Sequence, residues 1–189
     1  MKHIFFIDPL EKLAITKDST ILLATTLKEQ GESVYFLFEE DFFVQNEGKI
    51  TYSCFNFDAQ INSSFYIENF KLGESLQVTM DEQVTFHMRI DPPYDSRYQR
   101  YLWMQDFLQH RGVKVVNNPL GIMKYSEKLE AYKRENSLPS YVGASMKGAL
   151  SFVASLKKAV DLDFILFMFK RFIKKHKSRL LAGFMFLYF

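Results

Sequence analysis

The chain has 189 residues, of which 48% are apolar, enough for one well-packed domain and part of a second. Its formal net charge is +2, which gives no global reason to expect a nucleic acid or an acidic partner. The only cysteine, Cys54, excludes an internal disulfide and suits a reducing compartment.

The N-terminus places a short apolar run, Ile4 to Ile7, before Asp8-Pro9. The run stops too early for a signal peptide and reads as a buried parallel strand closed by proline. Nowhere does an apolar stretch approach the roughly 18 residues needed to span a bilayer, so a soluble, cytoplasmic protein is expected. Asp18 or Ser19 offers an N-cap for a helix to about Gln30, with Leu23, Ala24 and Leu27 on one face. Gly31 supplies its stop. Ser33 to Phe38 reads as the next strand, giving the β-loop-α-β opening of a parallel sheet.

Lys49 to Phe57 and Phe65 to Leu72 are strand-like and read as a hairpin-like excursion from that sheet. Cys54 falls in this alternating stretch, where a buried or half-buried thiol is expected rather than a nucleophile. Gln83 to Met88 returns as a buried strand. The loop from Arg89 to Asp95 leads into a helix from about Ser96 to His110, with Tyr98, Tyr101, Leu102 and Leu108 on one face and Gly112 beyond its end. Val113 to Val116 is a further strand, followed by Asn117-Asn118-Pro119. The pattern then predicts a helix over 119–133, a linker or short strand at 138–141, a helix through Met146, Ala149, Leu150 and Val153, and a strand over 163–166.

Beyond Leu166 the character changes. Residues 167–189 hold Phe167, Phe169, Phe172, Phe184, Phe186 and Phe189 with six basic residues and no acid. That composition break marks a separate region. Taken at face value, it also allows an amphipathic helix lying on an anionic membrane.

Ligands of open parallel sheets sit beyond the carboxyl ends of the strands. Three polar loops fall in such positions: Asp8-Pro9 with Lys17-Asp18-Ser19; Arg89 through Asp95; and Asn117-Asn118-Pro119 with Glu127-Lys128 after it. The first two lie beside helix N-termini, which favour anions. Each has a plainer reading. Asp18-Ser19 serves as a helix cap, Pro92-Pro93 as a rigid turn, Arg89 as the partner of a structural carboxylate such as Asp91, and Lys128 as a solvated charge. His3, His87, His110 and His176 are scattered without metal-ligand spacing, and no glycine-rich phosphate loop is present.

Together and in order, these loops resemble those of prokaryotic glutathione synthetase, a family of ATP-grasp ligases. The resemblance rests on Asp8-Pro9, on Lys17-Asp18-Ser19-Thr20, and on Met88-Arg89-Ile90-Asp91-Pro92-Pro93-Tyr94-Asp95. It rests also on Asn117-Asn118-Pro119, one residue out of register, and on Ser126-Glu127-Lys128-Leu129. It covers roughly residues 1–166, with the Asp-Pro-Pro loop as its most specific element.

The resemblance implies an α/β fold: an open, mostly parallel, Rossmann-like pre-ATP-grasp domain over 1–120, then the incomplete start of an ATP-grasp domain over 121–166. It implies ATP-dependent joining of γ-glutamylcysteine and glycine, with magnesium, through an acyl phosphate that the glycine amine attacks. Lys128 would then contact the nucleotide, and Asp18, Ser19, Arg89 and Asp91 would border the dipeptide. Where the family continues its strand with Lys-Pro and a glycine-rich loop, this chain has Phe167-Met168-Phe169-Lys170 after Asp163 to Leu166. That departure predicts a frameshift or truncation near codon 167. It leaves the metal-binding carboxylates outside the chain, with a foldable domain to about residue 120 and an inactive fragment. The alternatives are one half of a split ligase awaiting a complementing chain, or a non-catalytic small-anion binding or interaction module; the resemblance also implies a homo-oligomer.

Overall fold

The computed structural model describes residues 1–91, 93–126, 129–130 and 132–156, and the backbone of 185–188. Two compact units result, Met1–Ser126 and Glu127–Phe189. In the first unit the elements are β1 (Lys2–Ile7), α1 (Ser19–Glu29), β2 (Ser33–Leu37), β3 (Thr51–Ile61), β4 (Ile67–Thr79), β5 (Val84–Arg89), α2 (Ser96–His110), β6 (Lys114–Val116) and α3 (Pro119–Lys124). The architecture is α/β, with one six-stranded sheet in the order β4-β3-β2-β1-β5-β6. β1 pairs in parallel with β2 and β5, and β5 with β6; β3 joins β2 and β4 antiparallel.

The uninterrupted apolar run of β1 is what a strand covered on both faces requires. Ile4 and Phe6 point into one core with Phe42, Tyr52, Phe86 and Met88, closed by Tyr101 and Leu108 of α2. Phe5 and Ile7 point into the other with Phe36, Phe57 and Ile67, closed by Ile21 and Ala24 of α1. Cys54 lies in the first core, where burial pushes its thiol up to about 12 and the Asp41 charge adds to the rise. At neutral pH it is a small apolar group, as its strand context suggested.

The helix ends follow their signals. Asp18 caps α1, accepting from Thr20 N at 2.8 Å and Ile21 N at 3.0 Å, and Asp95 caps α2 through Tyr98 N at 2.9 Å. Gly31 and Gly112 follow at φ of 87° and 92°, conformations that only glycine adopts without strain.

Four expectations are corrected. The 51–79 hairpin is not an excursion: β3 is hydrogen-bonded to β2, so the hairpin forms one side of the main sheet. Both of its strands are longer than their apolar patterns, because the ladder between them orders polar residues as well as apolar ones. Leu23 is 43% exposed, and α1 buries Thr20, Ile21, Ala24 and Thr25 instead. Thr25 tolerates burial because its hydroxyl donates to Ile21 O at 2.8 Å. The helix expected over 119–133 ends at Lys124, where Tyr125 turns extended at φ −118° and ψ 122°. Ser126, a residue type that prefers caps to helix interiors, follows the break.

In the second unit, β7 (Ser140–Gly143) pairs antiparallel with β8 (Met185–Tyr188). Between them α4 (Met146–Ser155), capped by Ser145, buries Ala149 and Val153. The helix expected through Met146, Ala149, Leu150 and Val153 is present, with Met146 and Leu150 37% and 45% exposed. The strand expected over 163–166 lies outside the described residues.

Candidate functional site

The sheet order determines where a crevice opens. From β1 the chain crosses through α1 to β2 on one side. From β5, on the other side of β1, it crosses through α2 to β6. The helices therefore cover opposite faces, and the loops leaving β1 and β5 diverge at the carboxyl ends of two adjacent parallel strands. Such a switch point is where open α/β sheets bind ligands.

The side chains at this point are those of the first two polar loops. Ile7 and Arg89 are register partners at the ends of β1 and β5. Arg89 reaches across to the first turn of α1: its Nε donates to Thr20 Oγ1 at 2.9 Å and its Nη2 to Ser19 Oγ at 3.3 Å. Asp8, only 7% exposed, accepts from the backbone N–H of Asp91 at 2.8 Å. Lys12 stands 3.7 Å from the same carboxylate. Segments 69 to 83 residues apart are thus fastened in both directions, by two bonds from a side chain of β5 to α1 and by one bond from the loop after β5 to a side chain after β1.

Of the residues expected to line a site, Asp18, Ser19, Arg89 and Asp91 come together here, and Lys128 lies outside the described residues. Asp18 is used as the cap of α1, so the protein's own carboxylate takes two of the N–H groups that an external anion would want. Arg89 does not take the structural carboxylate partner that was the plainer expectation; among the described residues its partners are the two hydroxyls. Arg97, the next arginine along, is neutralised instead by Glu39 at 3.2 Å. Asp91 is exposed and spends its backbone N–H on Asp8, while its carboxylate enters no ion pair among the described residues.

Sequence reasoning placed Thr20 and Asp8 in motifs but assigned them no role. Their signal was burial of a polar residue at a strand or helix end, which needs the fold to become visible. Asn118, in the third loop, caps α3 through Gly121 N at 2.9 Å. A depression of about 340 Å³ lined by Met80, Asp81, Glu82, Gln83, Arg111 and Gly112 opens at the amino ends of β5 and β6, away from these residues.

The first unit is therefore an open α/β domain of the kind that binds a ligand at a strand switch point, with an arginine there that has no carboxylate partner among the described residues. Residues 1–122 match the prokaryotic glutathione synthetase N-terminal domain, and the chain belongs to that family. It is similar to glutathione synthetase of Coxiella burnetii, at 29% identity over 154 residues, 81% of this chain and 47% of that protein. The corresponding enzyme of Synechococcus elongatus is 25% identical over 166 residues, 85% of this chain and 51% of that protein. That of Shewanella oneidensis is 26% identical over 122 residues, 65% and 38%. The chain spans about half the length, or less, of these relatives. Among the described residues no helix is long and apolar enough to cross a membrane, and no group of three or more His, Cys, Asp or Glu side chains is placed to hold a metal ion.

Proposed function

We propose that this chain supplies the dipeptide-binding side of a glutathione synthetase-type ligation. In that reaction ATP activates the cysteine carboxylate of γ-glutamylcysteine and the amine of glycine attacks it. The observation that carries this reading is the double fastening at the switch point. Arg89 is held on Ser19 and Thr20, and Asp91 N on Asp8, within the segment that matches the family domain. Arg89, Ser19, Asp91 and the capping residue Asp18 border the dipeptide. Lys128 serves the nucleotide, in the partial ATP-grasp segment that begins near residue 121.

The described residues offer no cluster for magnesium, so no step is assigned to the metal. The contribution of this domain is positioning. An arginine fixed by two hydroxyls holds a substrate anion in one orientation at little further entropic cost. After Leu166 the sequence lacks the Lys-Pro and the glycine-rich loop of the family, and the chain alone does not complete the reaction.

Titration calorimetry of the full chain with γ-glutamylcysteine tests this, alongside phosphate release in the presence of ATP, magnesium, the dipeptide and glycine. Saturable dipeptide binding with phosphate release at background is expected. Absence of dipeptide binding overturns the reading, and sustained release overturns the claim that the chain does not turn over unaided.

A further inference from the structure

Resting on that reading, we propose that Asp8 is a positioning residue of the site. Its buried carboxylate latches the N–H of Asp91 and so fixes where the 91–95 loop leaves the sheet, without itself touching the substrate.

The β1–β5 ladder ends at Ile7–Arg89. On β1 the next residues are Asp8 and Pro9, and Pro9 has no N–H with which to carry the pairing further. On the β5 side Ile90 still belongs to the core, at 8% exposure, while Asp91, Pro93, Tyr94 and Asp95 are exposed. Past the end of the ladder, Asp91 N finds a side-chain oxygen in place of a main-chain one, Asp8 Oδ2 at 2.8 Å.

Nothing within the loop can replace that bond. Residues 92 and 93 are both proline, so Asp91 carries the only main-chain N–H between Ile90 and Tyr94. Further on, the ties run to α2. The Tyr94 hydroxyl donates to Gln99 Oε1, its ring lies 5.3 Å from that of Tyr98, and Asp95 caps the helix through Tyr98 N. The loop is thus tied to α2 at one end, and at the other to the end of β1 through Asp8.

Asp8 is placed to hold the protein rather than a ligand. It is 7% exposed, with Oδ2 on Asp91 N and Oδ1 3.7 Å from Lys12. An ionised acceptor makes the stronger bond to an N–H. Arg89, two residues before Asp91, is held on α1 by Thr20 and Ser19, and the latch fixes the chain directly after it. Without the latch, the stretch from Asp91 onward has no fixed start and must be ordered when the dipeptide binds, which costs affinity. That role needs an acceptor oxygen and not a charge, so an amide at position 8 serves it too.

The experiment combines amide hydrogen exchange, read by NMR, with calorimetric titration of γ-glutamylcysteine into the full 189-residue chain and its variants. In Asp8→Ala the Asp91 amide exchanges about tenfold faster or more, the scale of one lost hydrogen bond to a charged group. The Tyr98 amide, held by Asp95 at the other end of the loop, keeps its protection. The dipeptide binds about three- to tenfold more weakly, the cost of ordering a short stretch of chain. Asp8→Asn restores both the protection and the affinity. Asp8→Ser, whose oxygen is one bond closer to the backbone and falls short of Asp91 N, takes the place of Asp8→Ala if that variant does not fold. Unchanged exchange at Asp91 after loss of the carboxylate overturns the latch. Faster exchange with unchanged affinity makes Asp8 purely structural and overturns its role at the site. Lost affinity in Asp8→Asn with Asp91 still protected shows that the charge itself meets the substrate, which overturns positioning in favour of direct contact. If the unaltered chain binds no dipeptide, the functional reading fails and the role of Asp8 at the site fails with it, whereas exchange at Asp91 still reports whether the latch exists.

Discussion

The two halves of the six-stranded sheet are built on different physical terms. β1, β2, β5 and β6 are parallel neighbours under helices, and β1, the centre of this half, buries Ile4, Phe5, Phe6 and Ile7 at 1% exposure or less. The β3–β4 hairpin is antiparallel and holds its shape largely through its own ladder. β4 in particular is exposed over most of its length. Between Phe57–Leu72 and Phe55–Ser75 the ladder advances two residues on β3 and three on β4, so β4 carries a bulge. Gly73 sits in it, where a Cβ would lie 3.2 Å from Asn56 O. Bulges on an outer strand discourage further pairing. The parallel half thus carries the ligand loops and the helix-covered cores, while the hairpin extends the sheet and adds Tyr52, Cys54, Phe57 and Ile67 to those cores.

The comparison is broken most directly by removing one aromatic ring from each half. Phe6 is wholly buried, with Phe42, Tyr101 and Phe86 at ring distances of 4.5, 5.1 and 6.1 Å. Phe6→Ala should cost about 3 to 5 kcal/mol, as large cavities in packed cores do. Phe65, at the hairpin tip, is 74% exposed, and Phe65→Ala should cost within about 0.5 kcal/mol. Urea unfolding midpoints at unchanged m-value measure both. Similar costs would mean that stability is shared across the sheet.

A smaller effect sharpens the account of the β1–β5 seam. His3 Nδ1 and His87 Nε2 lie 2.9 Å apart across it, and the His87 ring stacks on Phe5 at 4.3 Å. Burial holds His87 down to about 4, with His3, Arg89 and Lys114 lowering it further. His3 is also lowered, first by burial and then by the N-terminal amine and Lys114, against the opposing pull of Glu32. Both folded values lie below the unfolded one, so the fold favours the neutral rings. Their contribution is fully present above about pH 6.5 and is lost as pH falls from there through about 4. For His87 the loss is on the order of 1 to 2 kcal/mol after allowance for partial exposure. His87→Gln should flatten this part of the stability–pH curve relative to the unaltered chain, measured by denaturant titration at constant ionic strength. An unchanged slope would show that the pair does not control the seam.

What could be read from the letters follows the same division. The parallel half is legible because burial on both faces leaves continuous apolar runs, and because Asp18, Gly31 and Gly112 announce helix ends; the capping role of Asp95 emerges only in the structure. The sequence pattern cuts the hairpin short, since Ser75 and Gln77 carry no strand signal and are ordered by their pairing with Phe55 and Ser53 of β3. Periodicity extends α3 too far because it does not register the extended turn at Tyr125. An apolar count places Leu23 in the core because it ignores that a threonine satisfied by the preceding turn can be buried in its stead. At the site, Ser19, Arg89 and Asp91 were visible as motif members. The bonds from Arg89 to Thr20 and from Asp91 to Asp8 were not, because they depend on β1 and β5 being neighbours although more than 80 residues separate them.

The smallest predicted effect compares two caps of the same chemistry. Asp18 accepts two backbone N–H bonds at the start of α1, directly above the core that Ile21 and Ala24 close. Asn62 accepts from Ser64 N and Tyr66 N at 3.0 Å each, at the exposed hairpin tip where Phe65 has φ 61°. Asp18→Ala should cost about 1 kcal/mol, the usual worth of a helix N-cap. Asn62→Ala should cost within about 0.5 kcal/mol, because water replaces its bonds and the tip supports no core. Asp18→Asn separates the cap from the charge: an amide oxygen still accepts both bonds, so stability is retained to within a few tenths of a kcal/mol. If the asparagine variant keeps its stability and its dipeptide affinity, Asp18 acts only by holding α1, and with it Thr20, in place. If it keeps stability and loses affinity, the carboxylate also faces the substrate. Chemical denaturation and calorimetry on the same preparations decide between the two.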